Sequence, residues 1–357
     1  FPAPWSTPAG TSPSGWSADM AASHDPTILP PAIAATLRDH RVTRSLRRRP
    51  RVYTDTTDFT AIDYGDVLLV EDRYFLVTAY TKEGRFGVDE QVKQWVPKVE
   101  DLASGASYIV KLVFYETFDV SLGGYTIPCY RSPEKEARIL ELVRGRPHFM
   151  QGELLLDEAG NLVRVIEPVD GNRLDKVIQR SRLSHEEYLF TELPDVLARF
   201  LPAMAAIGFL HEQGFRHGDI RRDHVFVERT TGELYWIDFD YDFHLPERPF
   251  ALDLFELGNI LTYLVGRGDH TPRTVQDDVT LGPVVLDRIT PADFGLVTRN
   301  RIVNLRKIFP YVPERLNSVL LHFSAATEVF YDTVGELCED VGAALADLAP
   351  QAGQSTR

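Results

Sequence analysis

Two cysteines in 357 residues, Cys129 and Cys338, are too few and too far apart for a disulfide framework or a metal-binding cluster. No run of 18 apolar residues occurs, so no membrane span is expected. The start carries no secretory signal pattern. Positive charge is scarce: 38 Lys and Arg stand against 52 Asp and Glu, net −14, which excludes a general nucleic-acid binder. No internal repeat is found. A reducing, cytoplasmic setting is the expectation. The chain begins at Phe1 rather than methionine, and its natural start is expected to lie upstream.

The charge that is present is uneven. Residues 1–51 hold seven arginines and three aspartates, +4, which leaves −18 for the rest. The first 30 residues, rich in Pro, Ser, Ala and Gly, read as a disordered arm. Residues 37–51, LRDHRVTRSLRRRPR, read as a solvated basic linker or as an arm that docks on the acidic body. In the second reading Thr43 and Ser45 are targets of self-phosphorylation. The length and the 44% hydrophobic content suit two lobes with a large core.

Between 60 and 120, DVLLV, YFLVTAYT and SYIVKLVF are β-branched and aromatic, with turn residues between them. They predict a small antiparallel sheet. SPEKEARILELV, residues 132–143, predicts a helix capped by Ser132, with Pro133 first and Ile139, Leu140 and Val143 buried. GELLLD and LVRVIEPV predict further strands. After 190, Leu193, Leu197, Phe200, Leu201, Met204 and Ile207 fall at helical spacing, with Pro202 expected to kink or restart the helix. Residues 316–348 predict a late helical region. RGD at 267–269 reads as a turn, and Cys338 as core.

Several residues break these patterns. Lys111 lies inside a β-branched strand, where its ammonium needs a partner, and Glu136 on the following helix can supply one. Gly84 and Gly87 in KEGRFGVDEQ can let backbone N–H groups approach an anion, although a plain hairpin turn has the same composition. In RHGDIRRDHVFV, Asp219 sits on a loop leading into a strand. Asp238 ends the apolar strand of LYWIDFDYD, 19 residues later. The intervening VERTTGELYW reads as a hairpin turning at Thr231-Gly232. It brings both aspartates to one end of a ribbon, where one can hold Mg²⁺ and the other can accept a hydroxyl proton.

Taken in order, these residues resemble the protein-kinase fold across roughly residues 70–345: an α+β, two-lobed fold with a small antiparallel-sheet N-lobe and a mainly helical C-lobe. The resemblance is to an atypical, bacterial-type serine/threonine kinase, with HGD and IDFD features shared with aminoglycoside and choline kinases. It implies a phosphate loop of Gly84, Phe86 and Gly87. It implies that Lys111 is paired by Glu136, that Asp219 and Arg221 are catalytic, and that Asp238 and His224 hold metal. The hinge near Glu167 to Val169 would bind adenine, and Asp253 in DLFELGNIL would brace the catalytic loop. The implied domains are an arm over 1–51, an N-lobe over 52–170, a C-lobe over 171–349 and a tail over 350–357.

The chain also departs from that pattern. Lys82 replaces the first glycine of the phosphate loop. Gly218 stands where regulated kinases have arginine, only 15 steps separate Asp238 from Asp253, and no Ala-Pro-Glu lies between them. There is little room for a phospho-regulated segment. His224 replaces a metal-binding asparagine, and neutral imidazole suits Mn²⁺ or softer ions better than Mg²⁺. It can also hydrogen-bond Asp219, or mark the loss of a second metal site. Asp223 or Asp240 can supply an oxygen instead. Ile109 narrows the expected nucleotide pocket.

The expected function is an ATP-dependent phosphotransferase, first an atypical serine/threonine protein kinase. The alternatives are a small-molecule kinase and a nucleotide-binding pseudokinase scaffold. The expected ligands are ATP with Mg²⁺ or Mn²⁺, and a protein or small-molecule acceptor.

Overall fold

A computed structural model describes residues 23–85, 88–122, 125–278 and 281–348. The Pro/Ser-rich start, the tail, Phe86 and Gly87 lie outside the described residues. The fold is mixed α+β. The chain divides into two compact units, residues 1–106 with 156–161, and residues 107–155 with 162–357.

In the first unit, β1 (Ser23–His24), α1 (Pro31–Asp39), α2 (Arg41–Arg44), β2 (Val52–Tyr53), β3 (Val67–Val70), β4 (Arg73–Arg85) and β5 (Val88–Asp101) follow in sequence. The strands lie in the order β1-β2-β3-β4-β5, antiparallel except for β2 with β3. Residues 26–51 are folded onto the first unit. Leu29, Ile33, Leu37 and Val42 are buried with Val52, Val67 and Leu76. The arginines dock on Asp66, which has no exposed surface and receives Arg48, and Arg51 at 2.9 Å. Thr43 donates its hydroxyl to the Leu37 and His40 carbonyls, and Ser45 to the Val42 carbonyl at 2.6 Å. An apolar stripe at helical spacing outweighs the basic composition.

The second unit begins with β6 (Ser107–Lys111), β7 (Thr117–Leu122), β8 (Tyr125–Arg131), α3 (Pro133–Leu142), β9 (Gly152–Leu156) and β10 (Leu162–Ile166). Strand β10 lies between β6 and β9, with Arg164 directly opposite Lys111. Helix α3 starts as predicted. Ser132 Oγ accepts from Lys135 N at 3.2 Å and Pro133 takes the first position. Such a cap is worth about 1 kcal/mol.

Next come β11 (Gly171–Arg173), α4 (Leu174–Gln179), α5 (His185–Thr191), α6 (Leu193–Glu212), β12 (Val225–Glu228), β13 (Leu234–Trp236), β14 (Tyr241–Phe243) and α7 (Ala251–Gly266). Helix α6 runs through Pro202 unbroken. Pro202 and Ala198, whose carbonyl loses its partner, are both exposed, so water can satisfy that carbonyl. By length and composition α6 could cross a membrane. Here Leu193, Leu197, Phe200, Met204 and Ile207 form a buried stripe in the protein core. Trp236 is fully buried and its indole N–H donates to the Ala203 carbonyl at 2.7 Å, which fastens the β12–β13 hairpin to α6. Arg267 of the RGD stretch is the left-handed cap that ends α7. Helices α8 (Pro272–Asp277) and α9 (Gly282–Leu286) are followed by α10 (Glu314–Leu321) and α11 (Val334–Ala346), which make up the late helical region.

Candidate functional site

The strand lysine, the helix glutamate and both aspartates fall in the second unit, and the fold gathers them. Lys111 ends β6, and its Nζ reaches Glu136 Oε1 of α3 at 2.7 Å, Asp240 Oδ2 at 3.1 Å, and Asp238. Two arginines join this group. Arg164 NH1 holds the other Glu136 oxygen at 2.9 Å, and Arg131 pairs with Asp240 and with Glu116 at 3.3 Å. Lys111, Glu136, Asp240, Arg131 and Arg164 are all buried. Burial alone would strip Lys111 of its proton, but Asp238, Asp240 and Glu136 outweigh it and hold the ammonium charged. Burial likewise opposes the charge on Asp240, yet Lys111 and Arg131 keep its carboxyl below the usual range.

The loop carrying Asp219 is held from two sides. Asp253, at the start of α7, accepts the backbone N–H of His217 at 2.7 Å and of Gly218 at 2.9 Å, and faces His211 Nε2 at 3.0 Å. Lys135 of α3, also buried, donates to the carbonyls of His217 at 3.0 Å and of Tyr241. Gly218 has φ +84°, and a Cβ there would overlap the Tyr241 carbonyl and crowd Lys135 Nζ. Glycine is therefore required at this position. His217 is fully buried, its ring edge-on to Trp236 at 5.3 Å and to Phe239 at 5.1 Å, and burial pulls its pKa down to about 3. Burial raises the Asp219 carboxyl above the ordinary range, against the pull of His224 and Arg221. That direction suits a group that takes a proton.

Asp238 adopts a left-handed φ of +70°, a strained conformation of the kind that gathers at functional sites. The chain after it is pinned as a strand: β14 pairs with β8, Tyr241 opposite Arg131 and Phe243 opposite Cys129. His224 joins the two aspartates. Its Nδ1 lies 2.9 Å from the Asp219 backbone carbonyl, which can only accept, so Nδ1 carries the hydrogen. In the neutral ring Nε2 then presents its lone pair 3.6 Å from Asp238 Oδ2. Metal-binding histidines are commonly oriented in this way. Carboxylate oxygens of Glu136, Asp238 and Asp240 come within 4.8 Å of one another. Both Glu136 oxygens are occupied by cations, whereas Asp240 Oδ1 is buried without a hydrogen-bond partner. These residues fit a divalent cation on Asp238 and Asp240, with His224 beside them.

Other expected residues fall elsewhere. Gly84 lies within strand β4 of the first unit. Glu167 and Val169 lie between β10 and β11, Glu167 donating its N–H to the Gln151 carbonyl at 2.9 Å and Val169 packed on the core. Arg221 is paired with Asp223 through two bonds of 3.1 and 2.7 Å, which engages both Asp223 oxygens. Sequence reasoning missed Arg131, Arg164 and Lys135. Arg164 carries the signal that exposed Lys111, a charge inside a β-branched strand. Lys135 sits four residues before Ile139, in line with the buried stripe of α3.

No family model matches the chain. Over 192 residues, 51% of its length, it is 22% identical to a protein of Caenorhabditis elegans described as "Putative ribosomal protein S6 kinase alpha-2". The chain spans 22% of that protein's length. The similarity supports a protein-kinase-like relationship. It is distant.

Two measurements probe this arrangement. Arg164→Met leaves Glu136 with one cation and is expected to cost about 3–5 kcal/mol in denaturant unfolding. Adding Glu136→Gln should recover part of that loss, and strictly additive losses would show that the two groups do not interact. His217 stays neutral down to about pH 3 in the folded chain but protonates near 6.5 when unfolded. The unfolded state therefore binds more protons in that window, and stability should fall as pH drops from 6.5 toward 3. His217→Leu should flatten this slope. An unchanged slope would mean that His217 titrates normally.

Proposed function

We propose that the chain is an ATP-dependent phosphotransferase of the protein-kinase type, which moves the γ-phosphoryl group of ATP to a hydroxyl. The observation that carries this reading is the convergence of Lys111, Glu136 and Asp238 in one charge cluster, with His224 linking Asp238 to Asp219. Lys111 is the phosphate-holding cation and Glu136 its positioning partner. Asp219 orients the acceptor hydroxyl and takes its proton as the new O–P bond forms and ADP departs. Arg221, on the same loop, steadies the transferred phosphoryl group. Asp238 and His224, with Asp240, would hold Mg²⁺ or Mn²⁺, which when bound screens the phosphate charge. In this reading the backbone from Glu167 to Val169 receives adenine, and the Gly84–Gly87 stretch is the phosphate loop. The lobes are then residues 52–170 and 171–349, and the setting is the ATP-supplied cytoplasm. Most of the rate comes from positioning and charge stabilisation rather than covalent chemistry.

Within this class the S6 kinase similarity favours a serine/threonine protein kinase of atypical type. A specific observation favours a second reading, a small-molecule kinase. The segment between Asp238 and Asp253 is short and is held as a strand on β8, which limits the room for a peptide platform. The test is transfer of γ-labelled phosphate from ATP by the intact chain, with Mg²⁺ or Mn²⁺, to a generic protein and to a panel of hydroxylated small molecules. Asp219→Asn should lower transfer by about 10²–10⁴-fold. The acid limb of the rate profile should lie above the range of an ordinary aspartate, because burial raises the Asp219 carboxyl. No transfer to any acceptor under either metal would overturn the reading.

A further inference from the structure

Beside the loop of Asp219 lies a cavity of about 340 Å³ that no step above uses. Arg221, Arg222 and Asp223 of the loop, Arg173, Asp175, Glu256 of α7 and Arg301 are among the residues that line it. Its size is that of a small-molecule site, commonly about 300–1,000 Å³. Its chemistry is polar. Ile260 is the single apolar side chain among the described lining residues, so an apolar or aromatic ligand has nothing to pack on.

Four guanidinium groups meet three carboxyl groups there. Burial pushes the Glu256 carboxyl up to about 7, so near neutral pH it carries only part of a negative charge. With Asp269, which pairs with two of these arginines, the charges come close to balance, and a partly protonated Glu256 tips it slightly positive. The arginines are also held in place: Arg173 by Asp175 at 3.0 and 2.6 Å, Arg222 by Asp269 at 2.7 Å, and Arg301 by Asp269 at 3.0 Å. A guanidinium has five N–H donors, so an arginine already paired with an aspartate keeps donors for a second anion. Forks fixed in this way are suited to phosphate or carboxylate oxygens. The cavity also adjoins the chemistry, since Arg221 stands two residues from Asp219 and the charge on Asp219 is felt at Glu256.

We propose that this cavity is the acceptor subsite, and that it takes a small hydroxylated molecule bearing a phosphomonoester or carboxylate group. The proposal rests on the phosphotransferase reading for the identity of the ligand as acceptor. The anionic group sits among Arg173, Arg222 and Arg301, and a hydroxyl of the same molecule reaches toward Asp219. A polyhydroxylated neutral molecule would leave the arginine forks without an anion.

The test is equilibrium titration of the intact chain with glycerol 3-phosphate, and separately with an acidic peptide of equal charge, each with and without ADP and Mg²⁺. Arg301→Met should weaken glycerol 3-phosphate about tenfold, the loss of one charge-assisted contact, and leave ADP affinity unchanged. Because that change also breaks the pair with Asp269, Thr298→Glu serves as a second variant. It adds a negative charge at the cavity wall and should weaken the same probe by a similar factor. Saturable binding of glycerol 3-phosphate that both variants weaken supports the subsite. Binding unaffected by Thr298→Glu, or capture of the peptide but not of glycerol 3-phosphate, overturns it. Loss of ADP binding with retained glycerol 3-phosphate binding would defeat the kinase reading and leave the anion site standing.

Discussion

A lysine ammonium inside a β-strand is tolerable only if carboxylates meet it there, and much of the second unit is arranged around meeting Lys111. Glu136 comes from α3, Asp238 and Asp240 from the chain after β13, and Arg164 from the neighbouring strand. Each group is costly alone and acceptable only in company, because removing one partner leaves an uncompensated buried charge. The cluster therefore ties sheet, helix and loop into one geometry. Its interior placement also gives Lys111 and Asp238 a low-dielectric setting, in which charges act strongly on one another.

The same economy explains how the loop carrying Asp219 is held. Lys135 bonds one carbonyl of the loop and one of the segment after Asp238, and β14 fixes that segment on β8. Asp253 holds the loop from below through two backbone N–H groups. Gly218 is then a steric consequence, since the Tyr241 carbonyl and Lys135 fill the space where a side chain would go. The absence of arginine at that position, read from sequence as a loss of regulation, has a local packing cause.

What was legible in the sequence were the residues that violate their surroundings. Lys111 in a strand, Asp238 after an apolar run and Asp219 before one stand out because periodicity makes them anomalous. Helix α3 was legible through its cap and stripe, and the β12–β13 hairpin through its turn at Thr231-Gly232. Long-range partners were not legible. Arg48 and Arg51 looked like a solvated run because Asp66, which holds them, lies 15 to 18 residues away and carries no distinguishing pattern of its own. Arg164 was read only as part of a strand and Arg131 was not singled out, because their value depends on charges brought in by other elements. Two alternatives left open at His224, contact with Asp219 and service to a metal, are compatible in the structure, since each uses a different ring nitrogen.

In the proposed function the Lys111 cluster exchanges internal ion pairs for a metal-bound nucleotide. The most direct measurement is calorimetric titration of ATP into the intact chain and into Asp238→Asn, with and without Mg²⁺. The account predicts that Mg²⁺ strengthens ATP binding to the intact chain by about tenfold or more, roughly 1.4 kcal/mol, and that this gain disappears in Asp238→Asn. ATP binding indifferent to the divalent cation, or a gain that survives the substitution, would contradict it.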